Sequence, residues 1–147
     1  MNLNPTEFTE KIINWYKSSG RDLPWRKTND PYCIWISEIM LQQTQVETVK
    51  PYYERFIQTF PTALSLAEAP LETVYKLWEG LGYYRRAAHL KEAAQMIRDR
   101  FNGRFPNTYT DILSLKGVGS YTASAISSIA FLIPKGVIDG NTLRIIS

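Results

Sequence analysis

The sequence predicts an all-α domain. Apolar side chains recur at helical spacing over most of the chain, and Pro or capping residues stand where the predicted helices begin. No stretch alternates apolar and polar residues long enough for a convincing β-strand. The 147 residues are 44% hydrophobic and 21% charged, which is enough to bury one core and excludes a disordered chain.

The predicted helices follow one another closely. Asn4 caps the first helix, with Pro5 at its first position, and a linker over 21–26 follows, extended before Pro24. Asp30 and Pro31 begin a helix that runs to about residue 43. Further helices are predicted at about 45–59, with an irregularity at Pro51, after Pro61, at Pro70, and at about 84–101, 108–115, 121–131 and from 139 onward.

Composition excludes some classes of site. One cysteine, Cys33, cannot form an internal disulfide, and with a single histidine, His89, it cannot complete a four-ligand zinc or iron–sulfur site. No apolar run approaches a membrane span, and no signal peptide is visible, so we expect a cytoplasmic protein. The net charge of +3 permits nucleic-acid binding without requiring it.

A glycine-containing turn joins two predicted short helices at 115–121. Gly117 and Gly119 allow positive φ and a close approach of the backbone to a ligand, and the following N–H groups lie at a helix N-terminus. This pattern is typical of a helix–hairpin–helix that holds a DNA backbone without reading its sequence. A plain helix–helix connection explains the glycines equally well.

Two carboxylates are candidates for chemistry. Glu38 lies in a helix that is apolar on nearly every side, where burial would raise its pKa and suit a general acid. Gln42, on the same helical face, could hold the carboxyl group. Asp139 precedes Gly140 and Asn141 and could face a developing cation. The simpler alternatives are an ordinary carboxylate at a helix edge and a turn or N-cap residue.

Two polar segments could line a nucleic-acid groove. Residues 42–45 form a polar cluster at the end of an apolar helix, and residues 80–86 combine glycines, aromatic residues and a basic pair. Aromatic side chains could wedge between bases while arginines bind phosphates. Solvated helix caps and ordinary surface residues are the alternatives.

Taken together, five ordered segments resemble the adenine DNA glycosylases of the helix–hairpin–helix superfamily (MutY type). They are LPWR at 23–26, WISEIMLQQTQV at 35–46, WEGLGYYRR at 78–86, GVGSYTA at 117–123 and IDGN at 138–141. The resemblance covers the chain from about Leu23 onward. It implies a six-helix barrel domain over 23–138, with the helix–hairpin–helix at about 111–131, preceded by an N-terminal helix at 1–22 and followed by a truncated helix at 139–147.

The resemblance implies a role for each matching residue. Glu38 would protonate adenine, Asp139 would stabilise the sugar cation or bond to it, Asn141 would support Asp139, and Tyr121 would lie beside the sugar. The residues implied to contact DNA are Arg26, Gln42, Gln43, Thr44, Leu81, Tyr83, Gly117, Val118, Gly119 and Ser120. The implied partner is double-stranded DNA with adenine opposite 8-oxoguanine or guanine, bound by a monomer in the bacterial cytoplasm.

Tyr121 distinguishes branches of the superfamily. The endonuclease III branch carries a lysine there, whose amine forms a Schiff base and cuts the strand. A tyrosine cannot, so the resemblance implies a glycosylase without strand cleavage. An endonuclease III-like enzyme for another damaged base and a non-catalytic helix–hairpin–helix module remain the alternatives.

Relatives of this family continue into a segment with four cysteines that bind a [4Fe–4S] cluster. No such segment is present, so we expect a piece of a longer protein, without a cofactor of its own and with weak or no activity alone. In the longer protein, the N-terminal helix would pack on the cluster region.

Overall fold

The computed structural model describes residues 23–132, which form a 3₁₀ turn and seven α-helices. After the turn Pro24–Arg26, the helices are α1 (Pro31–Leu41), α2 (Val46–Thr59), α3 (Ala63–Glu68), α4 (Leu71–Trp78), α5 (Arg85–Arg100), α6 (Tyr109–Leu113) and α7 (Ser120–Phe131). No strand occurs among these residues. The all-α prediction is confirmed. The predicted helices at the N-terminus and from residue 139 onward, and the ends of the proposed domain divisions, lie outside the described residues.

Side-chain caps explain why three of the seven described α-helices begin where the sequence predicts. Asp30 accepts a hydrogen bond from the Tyr32 amide at 2.9 Å, directly before Pro31. Thr62 caps α3 through a reciprocal pair of bonds with Ser65. Thr108 caps α6 by accepting a bond from the Asp111 amide.

One local prediction is confirmed and another needs correction. Leu23 is extended directly before Pro24, as predicted, and residues 24–26 then form a 3₁₀ helix. Helix α1 ends at Leu41 rather than near residue 43, because Gln42 is extended and Gln43 adopts a left-handed conformation with φ 58°. The polar residues at 42–44 therefore form a loop, not a last helical turn.

Helix α1 is the centre of the packing. Seven of its eleven residues are buried, and it packs against α7 on one side and α2 on another. Its Trp35 is fully buried with Phe105 at a ring-centroid distance of 5.7 Å. Helix α3 packs along α5, and Trp78 of α4 meets Phe56 of α2 edge to face. The aromatic-rich composition therefore belongs largely to the core.

Within residues 23–132, no helix is both long enough and apolar enough to cross a bilayer.

A buried hydroxyl provides a stability test of this packing. The Tyr32 hydroxyl donates to the Phe60 carbonyl at 2.6 Å, which joins the start of α1 to the end of α2. Tyr32→Phe leaves that carbonyl unpaired, so we expect a loss of about 1–2 kcal/mol in the free energy of unfolding measured with urea. Tyr75→Phe is the matched control, because its ring contact with Tyr84 is kept and its hydroxyl bonds to no other described residue. Equal losses in the two variants would contradict the assignment.

Candidate active site and nucleic-acid interface

A cleft of about 440 Å³ opens beside the middle of α1. Glu38 and Leu41 of α1 form one wall, and Trp25 and Arg26 of the 3₁₀ turn form another. Trp25 is held in the core by an edge-to-face contact with Tyr53 at 5.3 Å, whereas Arg26 is exposed. The turn at Pro24 therefore anchors an apolar ring and presents a cation at the same opening. The remaining lining residues are Leu23, Thr28, Asn29, Ile34, Ser37, Val46 and Ile129.

Glu38 is the acidic residue of this cleft. Its side chain is partly buried, and no hydrogen bond or ion pair joins its carboxylate to another described residue. Burial alone raises the pKa of Glu38 above its ordinary value of 4.5, because the charged form loses hydration without gaining a partner. A carboxyl group in this setting holds its proton to higher pH, as a general acid requires.

Gln42 does not hold the Glu38 carboxyl group, contrary to the interpretation of their shared helical face. The helix ends at Leu41, and the Gln42 side-chain amide instead donates to the Thr122 hydroxyl at 3.4 Å. This weak bond joins the end of α1 to the first turn of α7. Gln42 therefore connects the cleft wall to the hairpin segment.

A second, more open groove of about 610 Å³ lies beyond the end of α1. It brings together the two polar segments that the sequence singled out, 42–45 and 80–86. Gln43 and Tyr83 have φ values of 58° and 51°, in the left-handed region that non-glycine residues seldom adopt. The Tyr83 side chain is 62% exposed. The groove is lined by Gln42, Gln43, Tyr83, Arg85, Arg86 and His89.

Arg86 has a role that sequence reasoning missed. Its Nη1 donates to the carbonyls of Ile39 at 2.8 Å, Met40 at 3.0 Å and Gln42 at 2.6 Å. Its Nη2 donates to the Thr44 hydroxyl at 3.2 Å and, more weakly, to the Gly82 carbonyl at 3.4 Å. The sequence predicts that the arginines of this basic pair could both bind phosphates. The structure instead turns Arg86 inward and leaves Arg85 exposed on the groove.

The hairpin at 114–119 is closed by a hydrogen bond from the Val118 amide to the Leu115 carbonyl at 3.1 Å. Gly117 has φ +79°, and a Cβ added there would lie 2.9 Å from the Cβ of His89. Gly119 is extended, with φ −93° and ψ 178°, and is the N-cap of α7 without a side-chain cap. Only the first of the two glycines therefore uses positive φ. The structure assigns His89 a packing role against this turn.

The other predicted site residues differ in how far they are exposed. Tyr121 is 48% exposed in the first turn of α7, next to Ser120, which begins the helix. Leu81 is only 6% exposed and packs in the core, as does Val118, so neither side chain forms free surface here. Asp139 and Asn141 lie outside the described residues. The roles of all these residues in DNA binding or catalysis stay predictions.

The residues of this chain do not fit an iron–sulfur cluster. Its single cysteine cannot supply a four-cysteine ligand set. Among residues 23–132, no three His, Cys, Asp or Glu side chains lie together in a way that could hold a metal ion.

This arrangement of helices, cleft and hairpin agrees with comparisons to known proteins. Residues 36–147 match the HhH-GPD superfamily of base excision DNA repair proteins. The chain belongs to this family.

Individual relatives within this family are similar to almost the whole of this chain. The chain is 48% identical over 140 residues to a protein of Buchnera aphidicola subsp. Baizongia pistaciae named adenine DNA glycosylase, with 95% of this chain and 40% of that protein covered. It is 47% identical over 150 residues to the adenine DNA glycosylase of Rattus norvegicus, with 96% and 29% covered. The chain thus spans less than half the length of these relatives.

A solved structure is similar in fold as well as in sequence. The structure of a thermostable thymine-DNA glycosylase superposes on this chain with a TM-score of 0.87 at 34% identity. The alignment covers 95% of this chain and 64% of the other.

The two hairpin glycines should respond differently to a methyl group. Gly117→Ala places a side chain at positive φ and against His89, so we expect a loss of about 2 kcal/mol or more in the free energy of unfolding. Gly119→Ala meets no atom within 4 Å at an ordinary φ and should cost less than about 1 kcal/mol. Urea denaturation of both variants checks this, and a larger loss at Gly119 would be inconsistent with the turn.

The raised pKa of Glu38 makes a prediction about stability against pH. A group whose pKa is higher in the folded state stabilises the fold fully below its unfolded pKa, and this stabilisation is lost as pH rises through the folded pKa. Glu38→Gln should therefore match the wild type near pH 4 and become more stable than the wild type toward pH 8. Urea unfolding across this range measures the difference, with Glu54→Gln at an exposed position of α2 as the control. Parallel curves for wild type and Glu38→Gln would exclude a buried carboxylate.

Proposed function

We propose that this chain provides the base-binding cleft and DNA-binding hairpin of an adenine DNA glycosylase. The observation that carries the proposal is Glu38, a partly buried carboxyl group without a partner among the described residues, on the wall of a cleft of about 440 Å³. The names of the relatives that are 47–48% identical support adenine as the base. The proposed substrate is duplex DNA with adenine opposite 8-oxoguanine or guanine.

The proposed reaction is hydrolysis of the N-glycosidic bond after the adenine is flipped out of the helix. The Trp25 ring and the side chains of Leu41 and Val46 give the cleft apolar walls for a planar base. Protonated Glu38 donates its proton to N7 of adenine. The bond between N9 and C1′ then breaks, its electron pair stays with the base, and neutral adenine leaves.

Water completes the proposed reaction at the sugar. A cation develops at C1′ as the bond breaks, and a water molecule adds there, leaving an abasic site and one proton that restores Glu38. Asp139 is proposed to stabilise this cation, and Asn141 to support Asp139. Tyr121 has no amine with which to form a Schiff base, so the proposed enzyme leaves the DNA strand intact.

The proposed DNA contacts lie on the groove and the hairpin. Arg85 and Lys116 are exposed cations beside the groove and the hairpin turn, respectively, and suit phosphate oxygens. The backbone amides after Gly119 lie at the N-terminus of α7, where an anion is favoured. Gln43 and Tyr83 are proposed to enter the helix near the vacated position.

A single-turnover assay tests the proposal. The chain, and in parallel the complete product of the gene that encodes it, would be incubated with duplexes containing adenine opposite 8-oxoguanine, adenine opposite guanine, thymine opposite guanine, or adenine opposite thymine. We expect release of adenine from the first two. Glu38→Gln should slow release by about 10²-fold to 10⁴-fold with DNA binding retained, whereas Glu54→Gln should not.

The same assay, repeated over a range of pH, tests whether Glu38 acts as the acid. Because only protonated Glu38 acts, the rate should fall as pH rises through its raised pKa. Full activity of Glu38→Gln would exclude Glu38 as the acid. If no base is released and the chain binds duplexes with and without 8-oxoguanine equally well, the non-catalytic helix–hairpin–helix module is favoured.

A mismatch thymine glycosylase is the second candidate. The similarity to the structure of a thermostable thymine-DNA glycosylase, at a TM-score of 0.87, favours it. Release of thymine opposite guanine, with adenine left in place, would decide for this candidate.

A further inference from the structure

Two residues that present side chains to the groove have the same unusual backbone conformation. Gln43 follows α1 and Tyr83 precedes α5, so they belong to loops separated by three helices in the chain. Both have left-handed φ angles and both line the groove. Such conformations persist in non-glycine residues only where the surrounding structure holds them.

One side chain binds both loops. The Arg86 guanidinium group donates to groups on either side of Gln43, namely the Gln42 carbonyl and the Thr44 hydroxyl. It also donates, over a longer distance, to the Gly82 carbonyl, directly before Tyr83. The same group lies 5.5 Å from the centre of the Tyr83 ring.

The chemistry of this contact requires arginine. A guanidinium group carries five donors in a planar fork, so it can serve acceptors on two loops at once. It also stacks on Trp78, whose ring centre lies 5.3 Å away, and the buried Nε has no partner among the described residues. A lysine has one ammonium group at the end of a flexible stem and cannot serve both sets of acceptors in this geometry.

We infer that Arg86 is a positioning residue that fixes the 42–44 and 80–84 loops to each other, so that Gln43 and Tyr83 enter DNA as one unit. The entry into DNA rests on the proposed function. The connection between the loops does not, because it is a property of the free protein.

Amide hydrogen exchange of the free protein tests the connection. In the first loop, the Gln42 amide donates to the Ile39 carbonyl and the Thr44 amide to the Leu41 carbonyl. In the second loop, the Leu81 amide donates to the Trp78 carbonyl. We expect Arg86→Lys to speed exchange in both loops by a similar factor of about tenfold or more. The neighbouring Arg85→Lys, the same change at an exposed position, should leave both loops unchanged.

A second variant tests the connection without altering Arg86. Thr44→Val removes one acceptor in the first loop, and if the loops are joined, exchange at Leu81 in the second loop should also rise severalfold. A change confined to the substituted loop, or an equal change across the amides of α1 itself, would overturn the inference.

A double-mutant cycle tests entry into DNA as a unit. The affinity for a duplex with adenine opposite 8-oxoguanine would be measured for Gln43→Ala, Tyr83→Ala and both together, in the wild type and in Arg86→Lys. We expect the two losses to deviate from additivity by about tenfold in the wild type and to be additive within twofold in Arg86→Lys. Additivity in both backgrounds would overturn entry as a unit. If the wild type binds an undamaged duplex as tightly as the duplex with adenine opposite 8-oxoguanine, the proposed function is contradicted. The hydrogen-exchange results would still decide whether the two loops are joined.

Discussion

The carbonyl groups at the end of α1 must find donors, and much of the structure depends on how they do so. A helix leaves its last carbonyls unsatisfied, and they carry the negative end of its dipole. Helix α1 has no basic residue in its own last turn. The positive charge comes instead from Arg86 of α5, 44 to 47 residues later in the chain. This long-range cap supplies the donors at the point where α1 stops and the groove begins.

The two candidate sites consequently share one scaffold. Glu38 faces the cleft from the middle of α1, and the groove starts just after its last residue. Gln42 connects the same point to α7 through Thr122, and α7 begins at the hairpin. Packing of His89 against Gly117 brings α5 onto the hairpin as well. Within residues 23–132, Glu38, the groove and the hairpin are thus all connected to the last turns of α1.

Three of the seven described helix starts were predictable from local caps. Asp30 with Pro31, Thr62 and Thr108 each act within a few residues of their own helix. The end of α1 and the inward role of Arg86 were not predictable in this way, since both depend on residues distant in sequence. The direction of the Glu38 pKa shift was predictable from its position in an apolar helix. Gln42 was expected to bind the Glu38 carboxyl group, but it bonds to Thr122 because the helix ends at Leu41.

The left-handed conformations of Gln43 and Tyr83 lower the stability of the fold but place both side chains on the groove. Each costs on the order of 1–2 kcal/mol relative to a residue that tolerates positive φ. Selection for thermal stability alone would therefore favour glycine or asparagine at both positions. Glycine would leave the groove without a side chain there, and asparagine with only a short one. Directed evolution or consensus design of this domain would need to hold these two positions fixed, because selection for folding free energy alone favours the loss of both side chains.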